Sequence, residues 1–157
     1  LIVLLVIFAL PYIASSQFIY PIQFDDCETP AFSLEGTEIY AQYDDDQLLD
    51  DILSGIDEGV LEKIMGEIYI QVFIDSLGNH CCVSIKNELN GKGKKVDFKK
   101  IIDNNTNWSP PVREGESANV SAMIKIVFDA DRIYLMRLGF NGKVGWAELT
   151  ETWVDRN

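Results

Sequence analysis

From Gly66 onward the chain alternates. Ile68, Ile70, Val72 and Ile74 occupy every second position, separated by Tyr69, Gln71 and Phe73. A period of two places the two sets on opposite faces of an extended strand, and β-branched residues in that register predict a strand with one buried face. Asp75-Ser76-Leu77-Gly78-Asn79 follows with turn-forming residues, Gly78 or Asn79 being able to take a positive φ. His80 to Asn87 then reads as the return strand of a hairpin. Its alternation predicts Cys81, Val83 and Ile85 on the buried face and His80, Cys82, Ser84 and Lys86 on the wetter one.

Helical spacing flanks this hairpin. Leu48, Leu49, Ile52, Leu53 and Ile56 recur at three and four residues behind Asp44-Asp45-Asp46. Carboxylates there satisfy free N–H groups and suit the positive end of the helix dipole. The run lacks the alternating ligands and central Gly of a calcium loop. Val96 to Asp103 reads as a second short helix, with Phe98, Ile101 and Ile102 on one side, and Pro110-Pro111 forbids helix beyond Trp108-Ser109. Val120 to Phe128 is a further strand with Ala122, Ile124, Ile126 and Phe128 on one face. Arg132 to Gly139 and Val144 to Leu149 flank the turn signal Asn141-Gly142. Ile39 to Gln42 is the best strand candidate before the first helix. The expected architecture is α+β: an antiparallel sheet of three or more strands with two helices on one face, forming a single domain over 44–157.

Charge is segregated. Between Gln17 and Glu62 there are 13 acidic residues and no basic one; from Lys63 on there are 12 acidic and 13 basic, so −13 and +1 give the net −12. A balance this acidic excludes nucleic acid as a partner, because phosphate affinity comes from Lys and Arg. Residues 17–43 read as an acidic arm. Before it, Leu1 to Ser16 holds 13 apolar residues and no charge, and ends in Pro11 and the small residues Ala14-Ser15-Ser16. That pattern predicts an export signal cleaved after Ser16 and a periplasmic or secreted protein. The alternative is an inner-membrane anchor if Leu1 to Ala14 stays attached. Without a Met or basic residues ahead of Leu1, the chain reads as a piece of a longer one.

Three cysteines, Cys27, Cys81 and Cys82, allow at most one internal bridge. Cys27 to either neighbour is open, and buried free thiols are the favoured reading. No P-loop, GxGxxG or GxSxG is present, no cofactor is implied, and His80 is the only histidine. No catalytic residue is assigned, and the chain is read as no enzyme. The alternatives are a secreted small-ligand binder or enzyme using a helix–sheet cleft, and an envelope assembly subunit whose acidic arm meets a basic partner.

Three pieces in order resemble a known family. Gly66-Glu67-Ile68-Tyr69-Ile70-Gln71-Val72-Phe73-Ile74-Asp75 with Gly78, then Trp108-Ser109-Pro110, then Gly115 and Val120, resemble the C-terminal domain of TonB-type energy transducers of the Bacteroidetes kind. The likeness covers Leu48 to Phe128. The family's Tyr-Pro ahead of the Gly and its long Pro-rich spacer are missing, which points to a stand-alone exported variant. The resemblance implies a noncatalytic protein–protein interaction domain of the cell envelope. In that family the last strand accepts a segment of an outer-membrane receptor by strand addition. The matching edge here is Ser121 to Phe128, with Ser121, Met123, Lys125 and Val127 as candidate interaction residues. Asp129-Ala130-Asp131 is too short for anything but a hairpin connection, so Arg132 to Gly139 is expected to cap that edge. Arg132, Tyr134 and Met136 then become the candidate outer strand for a protein partner, and a receptor segment is not expected at Ser121 to Phe128. The C-terminal hairpin spans 132–149.

Overall fold

The computed structural model describes residues 18–36 and 38–156. The expected export signal, Leu1 to Ser16, lies outside the described residues. Two short strands, β1 (Ile22–Gln23) and β2 (Ser33–Leu34), precede helices α1 (Asp45–Ser54) and α2 (Glu58–Leu61). The hairpin β3 (Gly66–Ile74) and β4 (His80–Asn87) follows, then helix α3 (Phe98–Asn105). The small hairpin β5 (Val112–Arg113) and β6 (Glu116–Ser117) leads into β7 (Val120–Phe128), β8 (Arg132–Leu138) and β9 (Trp146–Trp153). The chain is therefore α+β, with a mostly antiparallel sheet in the order β1-β4-β3-β7-β8-β9 and β2 running parallel to the start of β7.

Local chemistry sets the elements. The Asp44 carboxylate accepts the Gln47 N–H at 2.9 Å and caps α1, whose first turn holds Asp45 and Asp46; such a cap is worth about 1 kcal/mol. A Cβ on Gly55 would lie 2.6 Å from Ile101 Cγ1, so the missing side chain is what lets α1 end against α3. In the β3–β4 turn Gly78 has φ 89°, and the Asp75 carboxylate accepts the N–H groups of Leu77 and Asn79 at 2.8 and 2.9 Å. One-turn α2, capped by Asp57, is too short to leave a periodic signal.

The apolar face of the sheet packs under α1 and α3. Ile68, Ile70, Val72 and Ile74 meet Leu48, Leu49, Ile52, Phe98, Ile101 and Ile102 in one core, joined by Ala122, Ile124, Ile126, Phe128, Ile133 and Leu135. The return strand differs from the simple alternation. Gln71 pairs with Ser84 but Val72 pairs with Cys82, so Val83 is a bulge. One extra residue flips every side chain beyond it. Cys82 therefore enters the helix-side core with Ile85, and Cys81, expected there with Val83, lies opposite Phe73 on the other face.

Ile39 to Gln42 is not a strand. Only Gln42 makes a bridge, to Ser109, while Ile39 and Ala41 are buried in the core; the Ala41 backbone is held by the Glu35 and Arg137 side chains, and the Ile39 carbonyl accepts the Gly36 N–H at 2.9 Å.

Candidate functional site

Strand β7 is paired on both flanks except at Ala122 and Met123 on one of them. Its whole length pairs with β3 on one side. On the other, β2 pairs with Val120 and Ser121, and β8 covers Ile124 to Phe128. Ser121, Met123, Lys125 and Val127 project from the face opposite the helices. Ser121 Oγ accepts from Gln71 Nε2 at 3.2 Å, and Met123 and Val127 are buried. Lys125 Nζ sits 5.7 Å from the Tyr69 ring centre, 5.5 Å from that of Trp146 and 3.8 Å from Glu67 Oε1. Tyr69 donates a short hydrogen bond to Glu67, which pushes its phenol up to about 12.

Arg132, Tyr134 and Met136 do not form the outer strand. β8 pairs with β7 and, on its other flank, with β9, which runs on to Trp153. The expected hairpin ended at Leu149 because Glu148, Thr150, Glu151 and Thr152 break the apolar pattern; those residues belong to a solvated outermost strand. β9 has a bulge at Leu149, and no strand of the described residues pairs with its outer side.

The first part of the acidic arm folds back along the β4 edge of the sheet and over the face opposite the helices. β1 pairs with β4, Tyr20 packs on Tyr69 at 5.9 Å between ring centres, and Phe32 packs on Phe73 at 5.8 Å. Beneath it a polar row crosses three strands: Ser84 Oγ donates to Gln71 Oε1 at 2.6 Å, and Gln71 reaches Ser121. The arm completes the row, Ile19 N–H donating to Gln71 Oε1 at 3.0 Å and Tyr20 N–H to Ser84 Oγ at 3.1 Å. Cys27 and Cys81 form a disulfide that fastens the arm to β4. This replaces the expectation of free thiols; Val83, by turning Cys81 toward the arm, is the reason. Cys82 stays free and buried, its thiol pushed up by burial and then by Asp103.

A buried ion pair went unseen in the sequence. Arg137 is fully buried and donates two hydrogen bonds to Glu35, from Nε to Oε2 at 3.2 Å and from Nη2 to Oε1. Nη2 also reaches the Ala41 carbonyl at 3.0 Å, and Ala41 N–H returns to Glu35 Oε1 at 2.8 Å. The guanidinium lies between Trp108 and Phe140, 5.2 and 4.2 Å from their ring centres. Burial pushes the Glu35 carboxyl up, and Arg137 opposes this. The available signal was phase: Arg137 shares a face with Ile133 and Leu135, so an inward charge there demands a partner.

A cleft of about 510 Å³ opens between α1, α2 and the end of β9. Asp50, Leu53, Glu58, Leu61 and Glu62 form the helical wall; Thr152, Trp153, Val154 and Asp155 form the other. Four consecutive residues, whose side chains alternate, line one cleft only when the backbone edge itself borders it. Val154 N–H donates back to Asp131 O at 3.0 Å. Alternation along the strand therefore turns the N–H and C=O of Trp153 and Glu151 outward.

Among the described residues no group of three or more His, Cys, Asp and Glu side chains is placed to hold a metal. His80 Nε2 lies 3.1 Å from the Ile102 carbonyl, tying β4 to α3. No helix of the described residues is long and apolar enough to cross a membrane. The chain matches no family model, no curated protein and no solved structure.

Proposed function

We propose that this is an exported, noncatalytic protein–protein interaction domain of the bacterial cell envelope, a stand-alone relative of the TonB C-terminal domain. The observation that carries the reading is the unpaired outer edge of β9, on a sheet whose β7 edge is already closed. An open strand edge is a template for an added strand. The hairpin–helix–strand order of β3, β4, α3 and β7, with β3 central and Trp108 packed in the core ahead of β7, supports the family likeness. The Cys27–Cys81 bridge supports an oxidising compartment, periplasmic or secreted.

The intact oxidised chain, immobilised, should enrich a protein from envelope extract. Glu151→Pro should abolish that capture, because it removes an outward N–H and leaves the β8 ladder intact. No enrichment would overturn the proposal, and turnover of a generic substrate panel by the purified chain would favour an enzyme that uses a helix–sheet cleft.

A further inference from the structure

Resting on that reading, we infer that the cleft at the end of β9 seats an extended, lysine- and arginine-rich segment of the partner, added as a strand along Glu151 to Trp153. The backbone supplies one half of the recognition. The N–H and C=O groups of Glu151 and Trp153 point away from β8, which are the groups an incoming strand needs.

The opposite wall supplies the charge. Asp50, Glu58 and Glu62 are exposed, and among the described residues none of them forms an ion pair. Leu53, Leu61 and Val154 give the cleft an apolar floor on which the aliphatic stem of a Lys or Arg can lie. Trp153 pairs with Arg132, so its exposed side chain lies on the sheet face away from α1 and α2, and only its backbone borders the cleft. Arg156 Nη1 donates to the carbonyls of Leu61, Glu62 and Ile64, at 3.4, 3.1 and 2.6 Å. Arg156 thereby ties the chain end against α2, which keeps the two walls of the cleft together.

The same charges disfavour a second copy of this chain as the occupant. Glu148 and Glu151 lie on β9 itself, the chain carries −12 overall, and the Leu149 bulge disrupts the flat edge that self-pairing needs. Like charges directly opposite one another on paired strands repel.

The test uses the full oxidised chain and three decapeptides of alternating Lys-Thr, Glu-Thr and Gln-Thr, followed by amide chemical shifts and by titration calorimetry. The Lys-Thr peptide should bind best, shift the Glu151 and Trp153 amides, and weaken steadily with added salt. Neutralising the wall with Asp50→Asn, Glu58→Gln and Glu62→Gln together should weaken it about ten-fold, the sum of three exposed ion pairs. Equal binding of the Lys-Thr and Glu-Thr peptides, an unchanged affinity in the neutralised variant, or shifts away from β9 would overturn the inference. So would a dimer in sedimentation with the β9 amides protected. If the peptides fail while envelope capture still depends on Glu151, the basic occupant is wrong and the interaction reading stands. If capture is also absent, both fall.

Discussion

Replacing Arg137 by Met removes the cation from the core while keeping its length. Glu35 then keeps its Ala41 N–H at 2.8 Å but loses both hydrogen bonds to the guanidinium. Breaking one side of a buried pair costs about 3–5 kcal/mol, because the remaining charge is stranded. Loss of the cation between the Trp108 and Phe140 rings adds less, since the Met thioether also packs on aromatic faces. Against a total stability of about 5–15 kcal/mol this is a large fraction, and it corresponds to a fall in melting temperature of roughly 10–15 °C.

The stranded carboxyl gives the prediction a second handle. Burial already pushes Glu35 up, and Arg137, with a smaller share from the Ala41 N–H, opposes that. Without the Arg, the folded chain holds a proton on Glu35 that the unfolded chain has released. The variant's stability is then greatest at pH below the ordinary Glu range and declines as pH rises through the raised folded value. Urea unfolding followed by tryptophan fluorescence at pH 5 and pH 8 should show the larger deficit at pH 8. Adding Glu35→Gln keeps the acceptor for Ala41 N–H and should restore most of the loss. A single variant within about 1 kcal/mol of the parent, or a double variant no more stable than the single, would refute the reasoning.

Ile70→Asp places an unpaired carboxylate at a fully buried position and should leave no cooperative thermal transition in circular dichroism; an unchanged transition would mean the helix-side face is misassigned. Reducing Cys27–Cys81, which closes a separation of 54 residues, should cost about 4 kcal/mol by loop entropy and speed hydrogen exchange at Tyr20 and Phe24 more than at β3; uniform exchange changes would contradict the arm as a separate covering layer. In alkali, burial pushes the Tyr20 and Tyr43 phenols up to about 12, and the Glu67 bond does the same for Tyr69, from an ordinary value of 10.0. The unfolded chain releases these protons first, so stability is intact below pH 10 and falls from there toward 12. Absorbance at 295 nm should show a late phenolate phase that coincides with unfolding; complete titration near pH 10 with the fold retained would exclude it.

The parts of the fold legible in the sequence were those governed by short-range periodicity. The alternation at Ile68 to Ile74, the Asp44 cap and the Asp75–Asn79 turn each encode their structure within a few residues. Features set by long-range partners were not legible. Val83 looks like any strand residue, and only its pairing with β3 makes it the bulge that turns Cys81 toward Cys27. Ile39 to Gln42 has strand composition, but Ala41 spends its backbone groups on Glu35 and Arg137, and the Ile39 carbonyl accepts from Gly36. β9 was cut short at Leu149 because an outermost strand needs few apolar residues. The closed flank of β7 was half legible: the short Asp129–Asp131 link requires β8 there, but nothing in Ser33-Leu34 signals the parallel pairing at Val120 and Ser121.

The same long-range accounting gives meaning to the 13 acidic residues between Gln17 and Glu62. Several have structural uses. Asp44 and Asp57 cap helices, Glu35 faces Arg137, Asp26 meets Lys99 at 2.9 Å, Asp46 bonds Thr150, and Asp51 accepts the Tyr43 hydroxyl at 2.5 Å. Helix position explains Glu58, in the first turn of α2; it does not explain Asp50 and Glu62, which line the same wall of the cleft and form no ion pair among the described residues. Like charges so placed repel one another at a cost in stability. A basic partner in the cleft, as proposed above, would recover that cost, and this would tie the part of the charge asymmetry that has no internal use to the β9 edge.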